Sequence, residues 1–166
     1  MIRHFATFLA IAGFATISSM AQTTTTTAAV TRVTALPPLG LGSTETARIS
    51  LTNIATASQA GTAASCDGSV SFYNAAGTLI GAATTFKIAS GVTSVVSLPF
   101  ASAGLTGPRG VIRGAVSVTR AASTTTTPAA PCSLLLAMET FETVSGATHM
   151  YLTEQVATAG GFGGGR

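Results

Sequence analysis

Cys66-Asp67-Gly68-Ser69-Val70-Ser71-Phe72-Tyr73-Asn74-Ala75-Ala76-Gly77-Thr78-Leu79-Ile80-Gly81 sets the fold class of this 166-residue chain. Val70 and Phe72 alternate with Ser69, Ser71 and Tyr73, which is the period of a strand with one buried face. Asn74-Ala75-Ala76-Gly77 follows as a turn, with Gly77 available for a positive φ. Thr78 to Phe86 then returns as the partner strand. Cys66 stands at the head of this hairpin as a covalent tether.

The same pattern continues on both sides. Downstream, Ser90-Gly91 is a turn, and Val96, Leu98 and Phe100 are in phase within Thr93 to Phe100. Pro99 lacks an N–H and marks that run as a sheet edge. Gly104 to Pro108 is a loop. Gly110 to Thr119 is the clearest strand, with Ile112, Gly114, Val116 and Val118 on one face. Ala121 to Pro131 reads as extended and mobile. Cys132 opens the next strand, with Leu134, Leu136 and Met138 inward and Ser133 and Glu139 outward. Gly146 turns the chain into Thr148 to Glu154. Upstream, Ala47, Ile49 and Leu51 share a face of Thr46 to Thr52, and Asn53 to Ser65 is a loop. Leu39-Gly40-Leu41-Gly42 reads as a loop after the Pro37-Pro38 break, and Ala28 to Ala35 as a first edge strand. About seven short strands separated by turn residues predict an all-β antiparallel sandwich over residues 28–156.

The ends predict export. Arg3 and His4 precede an apolar run from Phe5 to Ile17, and Ser19-Met20-Ala21 fits a cleavage site, so residues 1–21 read as a signal peptide. No Cys follows the cut, so no lipoprotein anchor is expected. Residues 22–27 form a Thr-rich leader, and 157–166 a Gly-rich disordered tail. Past the signal, no apolar run reaches the roughly 18 residues that span a bilayer. Charged residues are 8% of the chain, against about 25% in an ordinary soluble domain. The surface is therefore covered by Ser, Thr, Gly and Ala. Without Arg3, seven basic residues face five acidic ones, too weak and scattered a balance for nucleic acid. Cys66 and Cys132 in an exported chain read as one disulfide. Both stand just ahead of their strands, so the bond is expected to staple two strand entrances at one end of the sandwich.

Gly68-Ser69-Val70-Ser71-Phe72-Tyr73, the turn, and Gly77-Thr78-Leu79-Ile80-Gly81 resemble the core of bacterial immunoglobulin-like (Big-type) repeat domains. Those carry a G-x-V-x-F-Y segment followed by G-x-L-[IL]-G. Gly91 with Val95 to Leu98, then Ala103-Gly104, is similar to their next strand and turn, so the resemblance covers about residues 68–104. Beyond it, Gly110 to Thr119 replaces the aromatic strand of the family. The resemblance implies an immunoglobulin-like fold and a surface or adhesive setting, with no catalytic residues.

The residues offer little for catalysis. Past the signal the one histidine is His149, and no G-x-S-x-G elbow accompanies it. It reads as a half-exposed strand residue near Tyr151. Glu139 and Glu142 are three apart, which on a strand sets them on opposite faces; they read as solvated charges. One His and two disulfide-bonded Cys make no zinc site, and Asp67-Gly68 lacks the spacing of a calcium loop. No catalytic residue, cofactor or metal is therefore expected. Arg109, Arg113 and Arg120 cluster on one strand, and Tyr73 and Tyr151 are the only tyrosines. Tyr73, Arg113 and Tyr151 are thus the candidate contacts for a ligand or partner. The expected function is a non-enzymatic exported structural or adhesive module that binds a cell surface, an extracellular polymer or itself; one variant is a fibre made by exchanging Ala28 to Ala35 between copies. The alternative is a carbohydrate- or small-ligand-binding domain using loops at one end of the sandwich.

Overall fold

The computed structural model describes residues 26–55, 65–120, 123–124 and 132–158. The expected signal peptide at 1–21, most of the Thr-rich leader, residues 56–64 of the Asn53–Ser65 loop, most of 121–131 and the Gly-rich tail from 159 onward lie outside them.

Nine strands build two antiparallel sheets that face each other as a sandwich, two more than the turn spacing predicts. In chain order the described strands are β1 (Thr26–Thr27), β2 (Val30–Ala35), β3 (Leu39–Gly42), β4 (Glu45–Asn53), β5 (Ser65–Asn74), β6 (Leu79–Ala89), β7 (Thr93–Pro99), β8 (Arg109–Arg120), β9 (Ser123–Thr124), β10 (Cys132–Glu142) and β11 (Thr148–Thr158). One sheet runs β11-β10-β4-β7. The other runs β2-β8-β5-β6, with β3 also paired to β8. The short β1 and β9 pair with each other, so the two Thr-rich segments meet rather than both running free; β-branched threonine suits such pairing.

The hairpin forms as its sequence dictates. Val70 and Phe72 are buried, and Gly77 turns the chain at φ 79°. The Asn74 side chain closes the turn by accepting from the Thr78 N–H at 2.9 Å. Gly68 is required by proximity rather than by φ: a Cβ there would lie 2.0 Å from the Ser117 carbonyl of β8 and 2.7 Å from the Phe86 ring. Gly114 lies on the same inward face, where a Cβ would meet Ile49 of the opposite sheet at 2.5 Å. These two glycines let β5 and β8 approach each other and let the sheets close.

The core lies between the sheets. Leu51, Ile112, Leu134, Leu136 and Met138 are all fully buried, each contributing roughly 1.5–3 kcal/mol by leaving water. Asn53 is a fully buried polar residue within this core: its Nδ2 donates to the Ile88 carbonyl across the sandwich at 3.1 Å, and its Oδ1 accepts from Ala55 N–H. Such pairing offsets the cost of burying an amide.

Two expectations are corrected. Leu39–Gly42 is a strand, not a loop, with Leu39 and Leu41 buried and Gly40 paired to Val111. Proline is tolerated beside an edge strand, so Pro37-Pro38 kinks the edge along β8 without ending it. The second correction concerns the disulfide. Cys66 and Cys132 bond as expected, with Cα atoms 5.2 Å apart. Both stand at the entrances of their strands, as expected, Cys66 as the second residue of β5 and Cys132 as the first of β10. Those strands belong to different sheets, so the bond does pin the sheets together through buried sulfurs.

β2 stands apart from the other sandwich strands. Of its six residues only Thr34 is even partly covered, and the rest are exposed. It is held by main-chain pairing to β8 and a hydroxyl contact between Thr31 and Thr119 at 3.2 Å. Net hydrogen-bond gains of about 1 kcal/mol each barely match an ordering cost of roughly 1–2 kcal/mol per residue.

Candidate functional site

Register across β5 and β8 sets Tyr73 opposite Arg113. Both residues lie on the outward phase of their strands, since Phe72 and Ile112 take the inward positions. The Arg113 guanidinium sits over the Tyr73 ring, 5.5 Å from its centroid. Such a contact contributes about 0.5–1 kcal/mol at an exposed site and orients the cation. No carboxylate pairs with Arg113 among the described residues, whereas Arg48 and Lys87 each have an acidic partner.

Arg113 also lines a cleft of about 360 Å³ between the β5–β6 turn and the β2–β3 kink. Pro38, Ala75 and Val111 supply its apolar wall, and Asn74, Gly77 and Arg113 its polar side. A cation fixed at the mouth of a partly apolar cleft can hold an anionic group while the wall takes a ring or alkyl body.

Tyr151 does not join them. It lies on β11 opposite Glu139, in the other sheet. Of the arginine cluster, Arg109 donates from Nη2 to the Gly40 carbonyl at 3.3 Å, so it serves the β3 edge.

A second polar cluster went unanticipated. Glu45, at the start of β4, is 7% exposed. Its Oε1 meets Nδ1 of His149 at 2.5 Å, and its Oε2 accepts from the Gly42 N–H at 2.7 Å. Burial pushes the Glu45 carboxyl up, but the hydrogen bonds from His149 and Gly42, with the charges of Arg109 and His149, hold it below its ordinary 4.5. His149 is half-exposed, as its strand position predicts. Its nearest described ionic partner is Glu45, which lies 104 positions away in sequence.

Glu139 is not a solvated charge. It is buried, with Arg48 Nε donating to its Oε1 at 2.6 Å and Thr148 Oγ1 donating to its Oε2 at 3.3 Å. Arg48 in turn lies 4.9 Å over the Phe141 ring. Glu142 accepts from Thr44 Oγ1 at 2.7 Å in an exposed setting. These contacts tie β4 to β10, β11 and the turns beside them. A histidine–carboxylate pair can orient a general base, yet no hydroxyl is hydrogen-bonded to His149 Nε2 among the described residues. Nor do three or more metal-ligating side chains gather among them, and no helix of the described chain is long and apolar enough to cross a membrane.

No family model, curated protein or solved structure matches the chain.

Proposed function

We propose that the protein is an exported, non-enzymatic structural or adhesive module of immunoglobulin-like type, acting at a cell surface or in an extracellular polymer. The observation that carries this reading is the make-up of the outer sheet faces around a disulfide-locked core. Hydroxyls meet across strands at Thr31 and Thr119 and at Thr52 and Thr93, the last pair 2.9 Å apart, and Ser69 stands opposite Ser117 in register. Such pairs stabilise a sheet without apolar cover, and they leave broad surfaces of low charge that repel neighbours weakly. A buried disulfide suits an oxidising compartment, in keeping with the N-terminal signal pattern. The test is co-sedimentation of purified protein with isolated cell envelopes and with insoluble polysaccharide. Retention on either is the expected result; protein that stays in the supernatant in every case and never associates with itself defeats the reading.

A second reading has one observation in its favour. Arg113, stacked on Tyr73 beside the cleft, is suited to a small acidic ligand such as a uronic acid. Titration of purified protein with galacturonate, followed by NMR, is expected under this reading to shift resonances of Asn74, Gly77 and Arg113. Glucose would leave them in place, and Arg113→Gln would abolish the response. Equal responses to both sugars, or none, would remove it.

A further inference from the structure

We propose that Val30–Ala35 is an exchangeable strand, which in the assembled protein pairs with Ala115–Arg120 of a second copy rather than with its own β8. The occupant and the slot are both on the chain. In the closed form Val30 pairs with Arg120, Val33 with Ser117 and Ala35 with Ala115. The same main-chain register is available to a strand from another molecule, because among the described residues it is held by backbone pairing, the Thr31–Thr119 hydroxyl contact and the partial cover of Thr34.

Three features separate this segment from the rest of the sandwich. First, its side chains fill no core position: Val30 is 57% and Val33 65% exposed. Second, the boundary is abrupt. The next residue, Leu36, is buried and donates its N–H to the Gly114 carbonyl at 2.9 Å. Leu39 and Leu41 anchor β3 in the core after it. Detaching β2 therefore leaves the core intact up to Leu36. Third, the junction is stiff. Leu36 precedes Pro37 and is held to extended geometry, and two consecutive prolines fix φ at both following positions. Leu36, so fixed, sends the chain before it out in an extended direction, as a strand that reaches a second molecule requires. When β2 leaves, β8 presents a row of unpaired donors and acceptors, which is the template that a second copy's strand satisfies. Each molecule offers one strand and one slot, so the contact is heterologous and propagates unless it closes into a ring.

This inference rests on the structural-module reading and fails separately from it, since a monomer that still coats cell envelopes keeps that reading and loses the exchange. The test mixes two variants of the purified protein, Val33→Cys and Ser117→Cys, one of them isotope-labelled, under mild oxidation. The two positions face each other across β2 and β8 on the outer surface, so neither change disturbs the core. Exchange predicts disulfide-linked mixed dimers well in excess of random pairing, and a ladder of higher species when both changes are in one chain. Mixed dimers no more frequent than like-with-like ones, with the double variant cross-linking only within single chains, would overturn the proposal.

Discussion

Thr140 and Glu45 show how single polar groups are treated in this sandwich. Thr140 follows Met138 on the inward phase of β10 and is fully buried, and its hydroxyl has no hydrogen-bond partner among the described residues. A buried hydroxyl left unpaired costs about 1–3 kcal/mol. Thr140→Val keeps the shape and removes that cost, so it should raise the unfolding free energy by about 1 kcal/mol in denaturant titration; a loss of stability would show that the hydroxyl is satisfied. Glu45 is the opposite case, a buried carboxylate with partners. Its folded pKa is lowered, so its contribution to stability is present above the unfolded value near 4.5 and fades as pH falls through the lowered folded value. His149→Ala removes the largest of the lowering influences. The Glu45 carboxyl should then titrate at higher pH by NMR, and stability at neutral pH should fall more than stability at pH 3. An unmoved Glu45 titration would show that Gly42 and Arg109 suffice.

At the scale of strands, the outcome depended on what each element buries. β4, β5, β8 and β10 are legible because most of each alternates and their inward residues are large, as with Ile49, Phe72, Val116 and Leu136. β3 alternates too, but with glycine between two leucines and two prolines ahead, and that punctuation reads as a loop. What makes it a strand is the β8 edge waiting for it, a tertiary partner that local pattern does not reveal. If β3 is a core strand, Leu41→Ala should cost about 2–5 kcal/mol, measured by chemical denaturation; a cost under about 1 kcal/mol would return it to the status of surface loop. Of the candidate contacts, Tyr73 and Arg113 meet because strand register brings them opposite each other. The Glu45–His149 and Arg48–Glu139 pairs were hidden for the same reason in reverse. Each joins residues roughly 90 to 100 positions apart, and only the β4–β10–β11 pairing brings them together.

For the whole molecule, the disulfide is the central structural device. It links the first turn of pairing in β5 to that in β10 across the sandwich, over a sequence separation of 66. Closing a loop of that size in the unfolded chain is worth about 4 kcal/mol in the chain-entropy model. Cys66→Ala/Cys132→Ala should therefore lower the unfolding free energy by roughly that amount, and the buried sulfurs should resist reductant until the sandwich opens. A double variant as stable as the parent would mean that the core alone holds the sheets. The wider claim is that this locked, low-charge frame exists to associate. It is tested most directly by sedimentation velocity of the oxidised protein over a concentration series, with and without solubilised envelope polysaccharide. The account predicts a boundary that moves to larger mass with concentration, with polysaccharide, or with both. A single monomer boundary under every condition would contradict it.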